Sequence, residues 1–169
     1  GSTMIAESGP ARLIELTPDL QVRHTIALKV PKPDPHHDTR LVRHLASGNY
    51  LVCHETEGLV REYRPDGTTA WEYQVPLFGR ERRPGHGVDA FGNQVFSAYR
   101  LPNGNTLICE GVKGNLFEVT SAGETVWLAL TVYVPAPPVV PLVCAVIVVP
   151  ALTPVPESVA PTMMDPVTV

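Results

Sequence analysis

The six residues PHHDTR, at positions 35–40, bring together side chains that can do chemistry. Two histidines and a carboxylate can bind zinc or another divalent metal. Adjacent side chains of a strand point to opposite faces, however, so His36 and His37 are only weak metal candidates and no metal site is predicted. Asp38 is placed to orient His37 as a general base or nucleophile, and Arg40 follows it. The alternative interpretation is a polar loop with a turn-forming aspartate.

A second group of cations lies in PLFGRERRPGHGVDAFGN (76–93), a connection nine residues longer than its counterpart in the preceding unit. Long loops of distinct composition are often functional, and arginine suits sulfate, phosphate or carboxylate groups. The alternative is a solvated loop in which Glu81 balances one arginine. If the two loops meet at one end of the fold, His37 and His86 are the candidate catalytic residues. The candidate ligand-binding residues are then Asp38, Arg40, Arg80, Arg82 and Arg83.

The elements that must position these loops are repeated. HLASGNYLVCHETEGLVREY (44–63) matches RLPNGNTLICEGVKGNLFEV (100–119), and identities recur at a spacing of 56 residues. A partial third copy, ARLIELTPDLQ (11–21), matches GLVREYRPDGT (58–68) at a spacing of 47. The identities at the longer spacing are Gly48/Gly104, Asn49/Asn105, Cys53/Cys109, Gly58/Gly114, Glu62/Glu118, Gly67/Gly123 and Trp71/Trp127. Repeats of this length indicate solenoids, propellers or arrays.

Each unit reads as a small antiparallel sheet. NYLVCHE and NTLICEG are apolar runs between turn signals, and GLVREYR and GNLFEVT alternate apolar and polar residues. RPDGTT and TSAGET supply tight turns, with glycine where a positive φ is required. No amphipathic helical pattern of ten residues or more occurs before residue 130. We therefore predict an all-β fold of antiparallel four-stranded units, the blades of a β-propeller.

The chain divides into three parts. Residues 1–3, before Met4, look like a cloning remnant; residues 4–130 hold the propeller-type repeats, in units of about 11–57, 58–113 and a partial 114–130. Residues 131–169 form an arm rich in valine and proline, and no residue from 125 to 156 is charged. Its longest proline-free run, 142–149, is too short for a membrane helix. The arm packs against a sheet edge or a partner chain, or it is a non-native tail from truncation or a frame change.

Composition excludes several classes of function. A net charge of −4 without a basic stripe predicts no binding to nucleic acid. No export signal is recognisable, which favours a cytoplasmic location, and nothing predicts a cofactor. Three cysteines do not indicate a disulfide framework. Cys53 and Cys109 occupy one repeat position and are predicted to be small buried hydrophobes, with a redox role as the alternative, while Trp71 and Trp127 are predicted to pack between blades.

The segment FSAYRLPNGNTLICEGVKGNLFEVTSAGETVW (96–127) resembles repeats of the arylsulfotransferase-type β-propellers and their quinoprotein-like relatives. RLPNGNTLI, the GxLxEV strand and the GxxxW ending carry the resemblance, which covers residues 11–130. It implies a ring of six blades, about twice this length, whose central channel is lined by histidine and arginine. In that family one histidine accepts the sulfuryl group. At the place where many such repeats have a histidine, this chain has Phe96, and its repeat mate is Arg40.

Two to three blades cannot close a propeller ring, which normally needs four to eight. Two copies with three blades each would complete a six-bladed ring with two-fold symmetry, so we predict a homodimer or higher oligomer. A monomeric, sandwich-like remnant capped by the arm is the alternative. The predicted function is a binding or interaction module with a small anionic ligand. The alternative is an arylsulfotransferase-like transferase or hydrolase that acts on anionic esters.

Overall fold

A computed structural model of the chain describes residues 1–77, 81–83, 95–111, 115–133 and 144–150. These residues contain twelve β-strands, and none of them belongs to a helix that could cross a lipid bilayer. The strands are β1 Thr3–Glu7, β2 Arg12–Leu16, β3 Val22–Ala27, β4 Thr39–His44, β5 Tyr50–His54, β6 Leu59–Tyr63, β7 Thr69–Gln74, β8 Val95–Arg100, β9 Thr106–Glu110, β10 Leu116–Val119, β11 Thr125–Tyr133 and β12 Cys144–Pro150.

The strands form three antiparallel sheets in which neighbours along the chain are also neighbours in space. Sheet 1 has the order β1-β2-β3, sheet 2 the order β4-β5-β6-β7, and sheet 3 the order β8-β9-β10-β11-β12. The prediction of an all-β fold built from antiparallel blade repeats is therefore confirmed. Within the described residues, sheet 2 has the predicted four strands, whereas sheet 1 has three and sheet 3 has five.

The sequence repeat maps onto equivalent strands. A shift of 56 residues places β5 on β9 and β6 on β10, and the hairpins before these pairs turn at Gly48 and Gly104 with φ of 86° and 88°. Glycine is required there because other residues rarely adopt a positive φ. The predicted unit boundaries at residues 58 and 114 fall between the second and third strands of sheets 2 and 3. Thr3 is already part of β1, and β11 continues to Tyr133.

Sheet 2 lies between the other two sheets and packs against both. All five residues of β5 are buried, because successive side chains point to opposite faces and each face is covered. Leu51 and Cys53 belong to a core shared with sheet 3. Tyr50 and Val52 belong to a second core, shared with sheet 1. The three sheets are thus stacked in the order 1, 2, 3, with one apolar core between each neighbouring pair.

β4 and β8 contact each other and lie on the inner side of this stack, and β1 contacts β4. The backbones of β3, β7 and β11, the outer strands of the repeats, approach only strands of their own sheet and lie on the outer side, while their side chains reach the cores between sheets. The hairpin turns 45–49 and 101–105 follow the inner strands directly. The inner strands therefore bring residues of all three sheets together at that end.

The prediction for the cysteines and for Trp71 is largely confirmed. Cys53 is buried in the core, where burial raises the pKa of its thiol to about 12. Cys109 is half-buried, and burial also raises its pKa. Both thiols are therefore poor nucleophiles at neutral pH. Trp71 packs on the core between sheets 2 and 3, and its indole N–H donates to the Ser121 carbonyl of sheet 3, 2.9 Å away.

Part of the valine-rich arm is a strand. Residues 144–150 form β12, which pairs with β11 from Trp127↔Pro150 to Tyr133↔Cys144 and adds a fifth strand to sheet 3. This is the sheet-edge position that was one alternative for the arm. Residues 151–169 lie outside the described part of the chain.

Candidate functional site

Asp38 lies in the turn before β4 and is buried. Its Oδ2 accepts the backbone N–H of Asp34, and its own carbonyl accepts the backbone N–H of Glu55 at 2.8 Å. Among the described residues its Oδ1 has no hydrogen-bond partner. The carboxylate therefore organises the turn that leads into sheet 2. We call this end of sheet 2 the Asp38 end.

His37 is half-exposed at this end, and Thr56 holds its ring. The Thr56 hydroxyl donates to the His37 carbonyl at 3.1 Å and lies 3.1 Å from His37 Nδ1. The hydroxyl donates to Nδ1 in one tautomer of the ring and accepts from Nδ1–H in the other. The carboxylate beside Nε2 is that of Asp34, at 3.8 Å, in the place where the sequence predicted Asp38.

Arg40 forms an ion pair with the buried carboxylate of Glu55 and lies 5.0 Å above the ring of Phe96. Arg82 contacts the neighbouring turn, where its guanidinium donates to the carbonyls of Thr56 and Glu57 at 2.9 and 2.7 Å. One arginine from each of the two loops that the sequence singled out thus contacts the turn between β5 and β6. Arg40 is engaged there by a carboxylate and Arg82 by carbonyl oxygens.

The remaining predicted residues are Arg83, Arg80, His86 and His36. Arg83 is exposed in the described segment 81–83, whereas Arg80 and His86 lie outside the described residues. The rings of His36 and His37 are 5.7 Å apart at an interplanar angle of 74°. In the described ranges, no three His, Cys, Asp or Glu side chains are grouped as a metal site would require.

A larger feature lies at the opposite end of the inner strands. A cleft of about 1070 Å³ opens where the ends of β4 and β8 meet β1 and the following hairpin turns. We call it the inner cleft, and its size suits a small ligand. Its polar and aromatic lining includes Arg43, His44, Glu62, Trp71, Tyr99 and Arg100.

The guanidinium of Arg43 lies in the inner cleft, and part of its N–H donors remain available for a ligand. Its guanidinium lies 5.3 Å above the ring of Tyr99, and its Nε donates to the Ala98 carbonyl at 2.9 Å. Within the described part of the chain, its two terminal amino groups donate no hydrogen bond. A half-buried arginine with unused donors is suited to bind a carboxylate, sulfate or phosphate.

Arg100 is neutralised by contrast. It donates to Glu62 Oε2 at 2.6 Å and lies 4.7 Å above the indole ring of Trp71. Asn49 donates to the other oxygen of Glu62, also at 2.6 Å. This arrangement holds Arg100 and Trp71 rigidly as one wall of the cleft and leaves Arg43 as its uncompensated guanidinium.

The sequence reasoning missed these residues, although the repeat contains a signal for them. Arg43 and Tyr99 occupy one repeat position, as Arg40 and Phe96 do, at the spacing of 56. Because β4 and β8 lie side by side, equivalent residues meet, and each pair becomes an arginine over an aromatic ring. The sequence therefore contained a signal for these pairs, namely an arginine in one repeat and an aromatic residue at the equivalent position of the next.

A glutamate occupies the same repeat position in all three sheets. Its hydrogen-bond partners show which sheet has no neighbouring sheet on that face among the described residues. Glu15 of sheet 1 accepts the Tyr50 hydroxyl of sheet 2 at 2.5 Å, which lowers the pKa of Glu15. Burial and this carboxylate raise the pKa of Tyr50 to about 12. Glu62 of sheet 2 likewise binds an arginine of sheet 3. Glu118 takes its partners from its own sheet, from Asn105 and Trp127, each at 2.7 Å.

Together, the series of sheets and the inner cleft define a β-propeller-like protein. The chain is similar to virginiamycin B lyase from Staphylococcus aureus, itself a β-propeller, with a TM-score of 0.52 and 12% identity over 77% of this chain and 45% of that one. It is also similar to a protein of unknown function from Bacteroides caccae, with a TM-score of 0.47 and 16% identity over 78% and 50% of the two chains. The chain thus spans about half the length of each structure.

No protein-family model matches the sequence, and no curated protein matches it. At 12% identity the likeness to the lyase shows the fold alone.

Proposed function

We propose that this chain is a propeller module that binds a small anion with an aromatic ring in the inner cleft. The observation that carries the proposal is Arg43, whose terminal amino groups donate to no described residue and lie beside the exposed ring of Tyr99. The guanidinium fork binds the anionic group in bidentate fashion, and Tyr99 stacks on the ring. His44, which is exposed at the rim, adds a second hydrogen-bonding group.

Benzoate is the simplest probe of this site. Replacing Arg43 by glutamine should weaken benzoate binding about tenfold or more, because the charge-assisted hydrogen bonds to the carboxylate are lost. Titration calorimetry or NMR shift titration measures the change. The matched control is Arg12→Gln, which removes an exposed arginine paired with Glu7, at the other end of β1 from the cleft residue Met4. Equal weakening in both variants, or unchanged affinity in Arg43→Gln, would contradict the assignment.

The second part of the proposal is that two copies associate to complete a ring. Glu118 supports it, because its two sheet equivalents both bind a donor from the following sheet, whereas in the described residues no sheet follows that of Glu118. Light scattering on a sizing column should therefore give twice the chain mass of 18.3 kDa. A monodisperse monomer across the micromolar range would exclude the association and leave the cleft proposal standing.

A transferase acting on aryl sulfates is the second candidate, and the geometry of His37 favours it. Thr56 contacts Nδ1, so Nε2 is the nitrogen that would accept a sulfuryl group, with Arg82 on the same turn to stabilise charge. His86 remains the other candidate base and Arg80 and Arg83 further anion ligands. The arylsulfotransferase resemblance motivates this proposal, although its usual histidine position is Phe96.

Transfer from 4-nitrophenyl sulfate to a phenol tests it by release of coloured nitrophenolate. His37→Asn should reduce turnover about a hundredfold or more, as removal of a nucleophile or base does. His24→Asn, on strand β3 of sheet 1, is the control and should keep the wild-type rate. No release above the buffer rate in the wild-type protein would exclude the transferase.

A further inference from the structure

The three sheets have unequal numbers of strands, and the repeat shows which strand sheet 1 lacks. Glu15 and Glu62 are equivalent at the spacing of 47, and they face Met4 of β1 and Leu51 of β5. β1 therefore corresponds to β5, the second strand of sheet 2. Among the described residues, sheet 1 has no counterpart of the inner strands β4 and β8.

The edge of β1 is exposed as a result. Ile5 is 40% exposed, whereas its equivalent Val52 is fully buried at 0%. In sheets 2 and 3 the same edge is covered by an inner strand, with pairs such as Thr39↔His54 in sheet 2. A free edge with an exposed apolar residue is a template for another strand.

Sheet 3 has one strand more than the repeat requires. β12 pairs with the outer edge of β11, and the equivalent strand of sheet 2, β7, has no such partner in the described chain. Along the chain an outer strand is followed by the inner strand of the next sheet, as β3 is by β4 and β7 by β8. Residues 144–150 follow β11 in this same order.

The connection is long enough for that position. Residues 28–38 join β3 to β4, and the comparable connection after β11 is residues 134–143. The sequence CAVIVVP of β12 has no charge and is rich in β-branched residues, which suits a strand covered by neighbouring sheets better than an outermost edge.

We infer that residues 144–150 of one copy add to the free edge of β1 in a second copy. Moving this strand from sheet 3 to the partner's sheet 1 leaves four strands in every sheet of the assembly. Sheets 1 and 3 pack on opposite faces of sheet 2, which favours a second copy over the same chain as the acceptor. The inference rests on the proposed association of two copies and names the segment that joins them.

The repeat predicts the register of the exchange. Thr39, the first residue of β4, pairs with His54, and the residue equivalent to His54 is Glu7. Cys144, the first residue of β12, should therefore lie opposite Glu7 of the partner copy. Directly opposed residues of antiparallel strands lie at the separation that a disulfide needs.

The test is a disulfide between two copies of the full chain carrying Glu7→Cys, with Cys109→Ser to remove a competing thiol. Mild oxidation should give a reducible covalent dimer, about tenfold more of it than in the control Val22→Cys, since only β1 lies opposite Cys144. Val22 is 63% exposed on β3, at the other edge of the same sheet. Ile5→Cys is a second variant on the β1 edge, and adding Cys144→Ser should abolish the dimer.

Each outcome decides a separate point. A solution dimer without a Cys144 crosslink to β1 would overturn the strand exchange and leave the proposed association intact. A crosslink within one chain, recognised by peptide mapping of a monomer, would overturn the second copy as acceptor. A monomer without any crosslink would overturn both.

Discussion

Replacing Phe117 by alanine should lower the free energy of unfolding by about 3–5 kcal/mol. Phe117 of β10 is 0% exposed in the core between sheets 2 and 3, and its ring centroid lies 6.1 Å from that of Tyr73. Truncation leaves a cavity that two packed sheets fill only in part. Urea unfolding followed by tryptophan fluorescence measures the loss, since Trp71 packs against the same core.

Phe96→Ala is the matched control in the same sheet. Its ring is 38% exposed and contacts the guanidinium of Arg40, so its removal should cost about 1 kcal/mol. Equal losses in the two variants would contradict a core shared by sheets 2 and 3.

His54 should make the protein progressively less stable as the pH falls below 6.5. The ring is buried in β5 with Nε2 3.0 Å from the Tyr63 hydroxyl, and burial lowers the pKa of His54 from 6.5 to about 3. Between these values the unfolded chain binds a proton that the folded protein does not, so acid favours unfolding. The loss approaches ~1.4 kcal/mol per pH unit at acidic pH, and well above pH 6.5 His54 contributes no pH dependence.

His54→Gln isolates this contribution, because glutamine keeps a hydrogen-bonding group for Tyr63 and does not titrate. Between pH 6.5 and about 5, above the range of most carboxylates, the wild type should lose about 2 kcal/mol more stability than the variant. Urea unfolding at both pH values measures the difference. The exposed His36→Gln serves as control and should keep the wild-type profile, and a variant profile as steep as the wild type would refute the role of His54.

The repeat itself was sufficient to predict the sheets. Period-2 alternation in stretches such as GLVREYR and turn glycines at fixed spacing are local signals, and strand pairing between chain neighbours follows from short turns. Gly67 and Gly123, for example, adopt the predicted positive φ of 82° and 83°. The unequal strand numbers of sheets 1 and 3 were not predicted, because they depend on which edge a distant segment joins.

The sequence named His37 and Arg82 as candidates on the condition that their two loops meet, and in the structure both residues contact Thr56. It could not show that Arg40 is paired with Glu55, fifteen residues away, or that Asp34 is the carboxylate beside His37. Such pairings depend on how a turn and two strands are juxtaposed, and spacing along the chain does not encode that distance.

By itself, then, the sequence determined the strands, their turns and their arrangement in blades, because these depend on neighbouring residues and on a regular repeat. Only the tertiary structure decided which cations remain available. Arg43 and Arg100 are the same residue type and occupy adjacent repeat positions on β4 and β8. Glu62 nevertheless neutralises Arg100, whereas no described residue accepts a hydrogen bond from the amino groups of Arg43. That difference arises from the packing of one sheet on the next, which brings together side chains that the sequence holds 38 to 56 residues apart.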